Sequence, residues 1–130
     1  MALVGLALGV ALACIVAMGG TARQADAVFA EKVVFVSDRT TGVGVNNPTG
    51  DHEIFRMNPD GTGVRQLTFN KVSDFAPILS PDGTRVSYAS HGVQLSNPED
   101  DWEVYAMNAS DGKGKKNLTN NATFDEIYFD

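Results

Sequence analysis

Two histidines, His52 and His91, are the side chains of this 130-residue chain best placed to act as a base or a ligand near neutral pH. Neither belongs to a two-histidine metal motif, and neither sits beside a serine in a nucleophile-elbow pattern. Ser90 and His91 are adjacent, but adjacent residues of a strand point to opposite faces. The other interactive side chains are Asp38, Arg39, Glu99, Asp100, Asp101 and Trp102. Glu99 to Asp101 reads as a solvated acidic run as readily as a recognition patch. Trp102 stands where an earlier segment carries His52, at a strand start, and suits packing between structural units as well as partner contact. The single cysteine, Cys14, leaves no pair for a disulfide and no cysteine-based metal site. We therefore expect no catalysis, no cofactor and no metal.

What must position these residues is a repeat. Asp51-His52-Glu53-Ile54-Phe55-Arg56-Met57-Asn58 aligns with Asp101-Trp102-Glu103-Val104-Tyr105-Ala106-Met107-Asn108 at an offset of 50. Asp60-Gly61 matches Asp111-Gly112 and Leu67-Thr68 matches Leu118-Thr119 at 51, and Val34 to Ser37 match Ser87 to Ser90 at 53. Periods of this length point to propeller blades. The segments are short, rich in Val, Ile, Phe and Tyr, and divided by turn residues, which predicts strands. They fall at Lys32 to Ser37, Glu53 to Asn58 and Val64 to Thr68, then at Phe75 to Ser80, Thr84 to Ser90, Trp102 to Asn108 and Lys115 to Thr119. Phe124 to Phe129 would open a third unit, and no helix is expected after residue 27.

The turns have a definite chemistry. In Pro59-Asp60-Gly61 and Pro81-Asp82-Gly83 the proline presets φ, the aspartate hydrogen-bonds locally and the glycine takes the left-handed conformation; Asp111-Gly112 serves likewise. A calcium loop is the rival reading of these aspartates, but their oxygen ligands do not alternate as such a loop requires. Pro77, inside a predicted strand, restricts that strand to a sheet edge.

Asp74 to Ser90, with Val104 to Asn108 and Asn117 to Thr119, resembles the WD-like repeat of the TolB β-propeller family. The resemblance covers nearly all of residues 32 to 124. It implies an all-β fold of four-stranded antiparallel blades: three strands of one blade (32–68), a full blade (75–119) and the start of another (124–130), an incomplete ring. It also implies an exported bacterial protein-binding scaffold. The segment Asp125 to Asp130 departs from the pattern, lacking the proline and the Ser-Pro-Asp-Gly turn. Two blades alone are expected to leave sheet faces and edges in water. A truncated frame, self-association that completes the ring and an open monomer each follow from that.

Ala2 to Met18 is an uncharged apolar run followed by Gly19-Gly20 and a polar stretch, and Ala25-Asp26-Ala27 offers small residues for cleavage, so residues 1–27 read as a signal peptide with a mature start at Val28. An uncleaved membrane anchor and a lipid anchor at Cys14 are the alternatives, and the missing basic residue before the run would fit a start upstream. Ten basic and sixteen acidic side chains give a net charge of −6, which removal of Arg23 and Asp26 leaves unchanged, and no nucleic-acid footprint is visible. Asn108, Asn117 and Asn121 head glycosylation triplets, which we assign to turns and loops. Periplasmic or secreted location follows.

Tight Asp-Gly hairpins share one end of the blades, so the long connections, Asp38 to Asp51 and His91 to Asp101, gather at the other. Long loops on a rigid sheet commonly carry recognition. The candidate partner-binding face is therefore Asp38, Arg39, His52, His91, Glu99, Asp100, Asp101 and Trp102. A protein partner in the envelope is the leading expectation; a carbohydrate or other ligand, and a gating propeller of a truncated hydrolase, are the alternatives.

Overall fold

The computed structural model describes residues 31–93 and 97–120. The leader assigned to 1–27 and the strand expected at Phe124 to Phe129 lie outside them. The described residues form seven strands and no helix: β1 (Val33–Ser37), β2 (Glu53–Met57), β3 (Arg65–Gln66), β4 (Asp74–Leu79), β5 (Arg85–His91), β6 (Trp102–Asn108) and β7 (Lys116–Asn117). They make two antiparallel sheets ordered β1-β2-β3 and β4-β5-β6-β7. These are a three-stranded and a four-stranded blade, and no helix among the described residues could cross a membrane.

The blades repeat each other in detail. Phe35 lies opposite Phe55 in the first, and Tyr88 opposite Tyr105 in the second. Each pair stacks with ring centroids 5.6 Å apart. The outermost strands are shorter than the sequence predicts, for a reason both repeats share. After β3, Leu67 N still donates to Ile54 O at 2.8 Å, but the Thr68 hydroxyl then takes the Ile54 N–H at 2.8 Å. Thr119 does the same for Val104 N at 3.0 Å. The Leu-Thr pair thus ends each ladder, with a hydroxyl replacing a backbone carbonyl.

Cross-strand partners share a face, so the registers sort every side chain. One face of the first blade carries Val34, Val36 and Ile54; it packs on the second-blade face carrying Val86, Tyr88, Tyr105 and Met107, and Leu67 and Ala109 complete this core. At about 25 cal/mol per Å² of apolar surface removed from water, this shared core is the main adhesion between blades. The contact is head to tail, since equivalent faces never meet.

β4 is an edge strand, and its pairing with β5 is interrupted by a bulge between Phe75 and Ile78. Pro77 sits inside that bulge, where no ladder donor is required, and Ala76 takes a φ of 48°.

Candidate functional site

The end of the blades where the long connections meet is organised around Phe75. The His52 ring lies 4.7 Å from the Phe75 ring, the Trp102 ring lies 5.7 Å from Phe75, and the His91 ring sits tilted 5.1 Å from Trp102. Four rings from both blades therefore form one row. Backbone fixes its origin, because Asp74 N donates to His52 O at 2.7 Å across the junction. Asp100 stands beside the row, its carboxylate 3.7 Å from His91 Nδ1, with both side chains about half exposed. An exposed pair of this kind contributes little to stability and leaves both groups able to meet a partner.

Of the residues singled out from sequence, the structure brings His52, His91, Asp100 and Trp102 together. Arg39 goes elsewhere: its guanidinium lies 5.2 Å over the Phe35 ring and 5.0 Å over Phe55, and its Nε donates to the Ser37 hydroxyl at 3.0 Å. Asp38 and Glu99 are exposed, and Asp101 is half-buried at the start of β6. Phe75, the centre of the row, is the member that sequence reasoning missed. It was assigned to a strand start, and only the bulge at Ala76 and the blade junction set its ring between His52 and Trp102.

The long connections are more regular than their composition suggests. Asn47-Pro48-Thr49-Gly50-Asp51 and Asn97-Pro98-Glu99-Asp100-Asp101 recur at the same offset of 50 as the strands. In each the asparagine is buried and its Nδ2 donates to the aspartate carbonyl four residues on, at 2.7 Å. Gly50 and Asp100 hold the same left-handed corner, φ 69° and 63°. Asn47 and Asn97 are thus the pegs that set the entry to β2 and β6, and the repeated Asn-Pro-x-x-Asp spacing was the signal for them.

Behind the row lies a buried acidic junction. Asn70 holds two carboxylates at once: its N–H donates to Glu53 Oε1 at 2.9 Å and its Nδ2 to Asp74 Oδ2 at 3.0 Å. Asp74 also accepts from the Ser90 hydroxyl. Glu53 and Asp74 have no exposed surface, and Glu53 Oε2 has no hydrogen-bond partner. Burial, with the Asp74 carboxylate nearby, pushes the Glu53 carboxyl up from 4.5 to about 7. Burial likewise raises Asp74, against the pull of the Ser90 hydroxyl bond. The described residues contain no group of three His, Cys, Asp or Glu side chains arranged to hold a metal.

The opposite end carries the hairpin turns. Asp82 accepts from the Ser80 hydroxyl at 2.5 Å and from Thr84 N and Oγ1 at 3.0 and 2.8 Å, bonds that hold its carboxyl down at about 2. Asp60 is bound the same way by Thr62, at 2.9 and 2.7 Å, and is also lowered. Asp111 accepts from Lys113 N at 3.0 Å. Gly61, Gly83 and Gly112 all have positive φ. A cleft of about 500 Å³ opens at this end between the blades, lined by Lys32, Arg56, Asp82, Thr84, Asn108 and Ser110 among others. Arg56 Nη2 donates to Ser110 O at 3.0 Å while its buried Nε has no partner.

No family model matches this chain. It is 38% identical over 50 residues to a protein TolB homolog of Chlorobium luteolum, covering 38% of this chain and 11% of that protein. To the protein TolB homolog of Chlorobaculum tepidum it is 34% identical over 64 residues, or 49% and 13% of the two chains. The chain thus spans little more than a tenth of the length of these curated relatives. Among solved structures it matches the putative TolB from Agrobacterium tumefaciens with a TM-score of 0.49 at 28% identity, covering 67% of this chain and 28% of that one.

Proposed function

We propose that these TolB-type propeller repeats serve as an exported, non-catalytic scaffold that binds a protein partner in the cell envelope through the long-loop end of the blades. The observation that carries the reading is the row His52, Phe75, Trp102, His91, which spans both blades with a charged rim at Asp100. Rigid aromatic groups at the centre of a patch with charge at its edge are the composition of interface anchors. The row is prepaid in conformational terms, since each ring already rests on its neighbour. Likeness to TolB homologues supports the envelope as its setting, and residues 1–27 have the composition of the leader that would deliver it there.

Capture of an envelope protein by the immobilised chain tests this. Trp102→Ala should lower capture at least tenfold, while Lys113→Ala at the turn end should leave it unchanged. Equal capture by both variants would overturn the reading. A mature protein starting at Val28, read by mass, is the expected product of export.

Binding of a small ligand is a second reading, favoured by the cleft at the turn end. Its unpartnered Arg56 Nε and the nearby Lys32 would suit an anionic or polyhydroxyl group. Arg56→Met should then abolish binding that Trp102→Ala leaves intact.

A further inference from the structure

The two long connections end in the same five-residue corner and fill it differently. In the first blade the Thr49 hydroxyl lies between two acceptors, donating to Asp51 Oδ1 and reaching Asn47 Oδ1 at 3.4 Å. Gly50 N also donates to Asn47 Oδ1, at 3.1 Å. One oxygen of this corner, Asp51 Oδ2, is buried without a partner.

In the second blade Glu99 and Asp100 take the places of Thr49 and Gly50. The hydroxyl donor is gone. The counterparts of the two oxygens it served, Asn97 Oδ1 and Asp101 Oδ1, are both buried with no hydrogen-bond partner. Asn97 has no exposed surface. Its amide is fixed in orientation, because Nδ2 donates to Asp101 O at 2.7 Å, as Asn47 Nδ2 does to Asp51 O. The backbone corner is also shared, with φ 69° at Gly50 and 63° at Asp100. Asn97 Oδ1 and Asp101 Oδ1 therefore converge on the point that a hydroxyl occupies in the first blade.

An amide oxygen and a carboxylate oxygen left there without a donor lose their hydration and gain nothing for it. Exchanging threonine for glutamate deepens the deficit, since an ionised Glu99 brings acceptors only. Asp100 adds a third carboxylate, 3.7 Å from His91 Nδ1. What the point lacks is a positive charge that takes oxygen ligands of mixed kind. Calcium accepts about six to eight oxygens from carboxylates, amide carbonyls and water in flexible geometry, whereas magnesium demands a tight octahedron.

We propose that this corner of the second blade binds a calcium ion. Asn97 Oδ1 and Asp101 Oδ1 are its preset ligands, the exposed Glu99 swings in as a further carboxylate, and water completes the shell. Asp100 adds charge without leaving His91. The turn aspartates at the opposite end are not equivalent, because Asp60 and Asp82 already accept from the amides and hydroxyls of Thr62 and Thr84. A bound ion would hold the corner from which Trp102 enters β6, yet its binding needs no protein partner and stands apart from the scaffold reading.

Titration calorimetry of the full chain in calcium-free buffer provides the test. Calcium chloride should bind at one site with a Kd of about 0.1–1 mM, the range of extracellular calcium modules, and magnesium chloride at least tenfold more weakly. Glu99→Thr, which restores the hydroxyl of the first blade, should weaken calcium at least tenfold and raise the melting temperature of the ion-free protein. Loss of a merely solvated acid would produce neither effect. Asp101→Asn should weaken calcium as much, while Asp60→Asn at a hairpin turn should leave it unchanged. Three results would each overturn the proposal: no saturable heat up to about 10 mM calcium, calcium and magnesium bound alike, or Glu99→Thr binding as tightly as the wild type. The first of these would leave the two oxygens to a donor carried by a partner.

Discussion

Leu67 and Leu118 occupy the same place in the two blades and have opposite surroundings: Leu67 is 1% exposed and Leu118 is 51% exposed. Nothing in either repeat unit distinguishes them. The difference comes from the neighbour, because the face that Leu67 shares with Val34, Val36 and Ile54 is covered by the second blade. The corresponding face there carries Ser87, Ala89, Val104 and Ala106 and meets no further blade among the described residues. Burial in a repeat fold belongs to the pair of units rather than to one, and residue size follows it: Val34 and Val36 stand where Ser87 and Ala89 do.

The sharpest break of this symmetry is at a glycine. Gly61 and Gly112 close equivalent hairpins at φ 83° and 71°, but a Cβ on Gly61 meets nothing within 4 Å, whereas one on Gly112 would lie 2.1 Å from the Leu67 carbonyl oxygen of the first blade. Gly61→Ala should cost only the left-handed penalty, about 1–2 kcal/mol. Gly112→Ala adds a backbone collision across the junction and should cost about 4 kcal/mol. Urea unfolding of the two variants, compared at constant m-value, measures the gap.

Next comes the leucine pair itself. Leu67→Ala empties a site in the shared core and should cost about 3 kcal/mol, while Leu118→Ala should cost under about 1 kcal/mol. Similar losses would mean that Leu118 is covered in solution, as an added blade or a second copy would cover it.

Glu53 offers a third comparison, between an acid held at the blade junction and acids at the free turns. Its raised pKa means that, between 4.5 and about 7, the folded chain binds a proton the unfolded chain has released. Stability from this group is complete below about pH 4.5 and falls as pH rises, losing up to about 3 kcal/mol by pH 8 at 1.36 kcal/mol per unit. Asp82 runs the other way: held at about 2, it stabilises above the ordinary carboxylate range and loses that contribution in acid. The melting temperature should therefore be higher at pH 5 than at pH 8. Glu53→Gln should flatten that slope and raise the pH 8 value, and a steeper slope would refute the assignment.

Much of this was legible in the residues. Strand positions, the edge placement forced by Pro77 and the Pro-Asp-Gly corners follow from local chemistry, which the fold leaves undisturbed. The aromatic row was legible in part, since His52 and Trp102 align. Phe75 was not, because the bulge and the junction place it. Asn47 and Asn97 lay within connections read only as long loops, although their spacing repeats as faithfully as the strands. Glu53 and Glu103 stood in the alignment with no sign of burial, since which face of a strand is covered depends on the neighbouring blade.

Arg39 is the smallest effect and the one that bears most on the open side of the molecule. Its counterpart by alignment is Gly92, where φ is 117° and a Cβ would lie 2.3 Å from Val72 of the segment joining the blades. The second blade thus leaves that place empty for its neighbour, and the first blade fills it with its own arginine. Together with the long connection, whose Asn46 N–H donates to Gln66 Oε1 at 2.8 Å, Arg39 covers the outer face so that Phe55 has no exposed surface there. A cation over two stacked rings covers the centre of that face, while Val33 at its edge stays 38% exposed. Arg39→Ala should cost about 1 kcal/mol, the scale of a partly exposed cation–π contact, while Arg39→Lys, which keeps the charge and loses the planar group, should recover only part of it. A loss of 3 kcal/mol or more would show Arg39 buried beneath another unit in solution, and no loss would show that the loop alone shields the Phe35 and Phe55 rings.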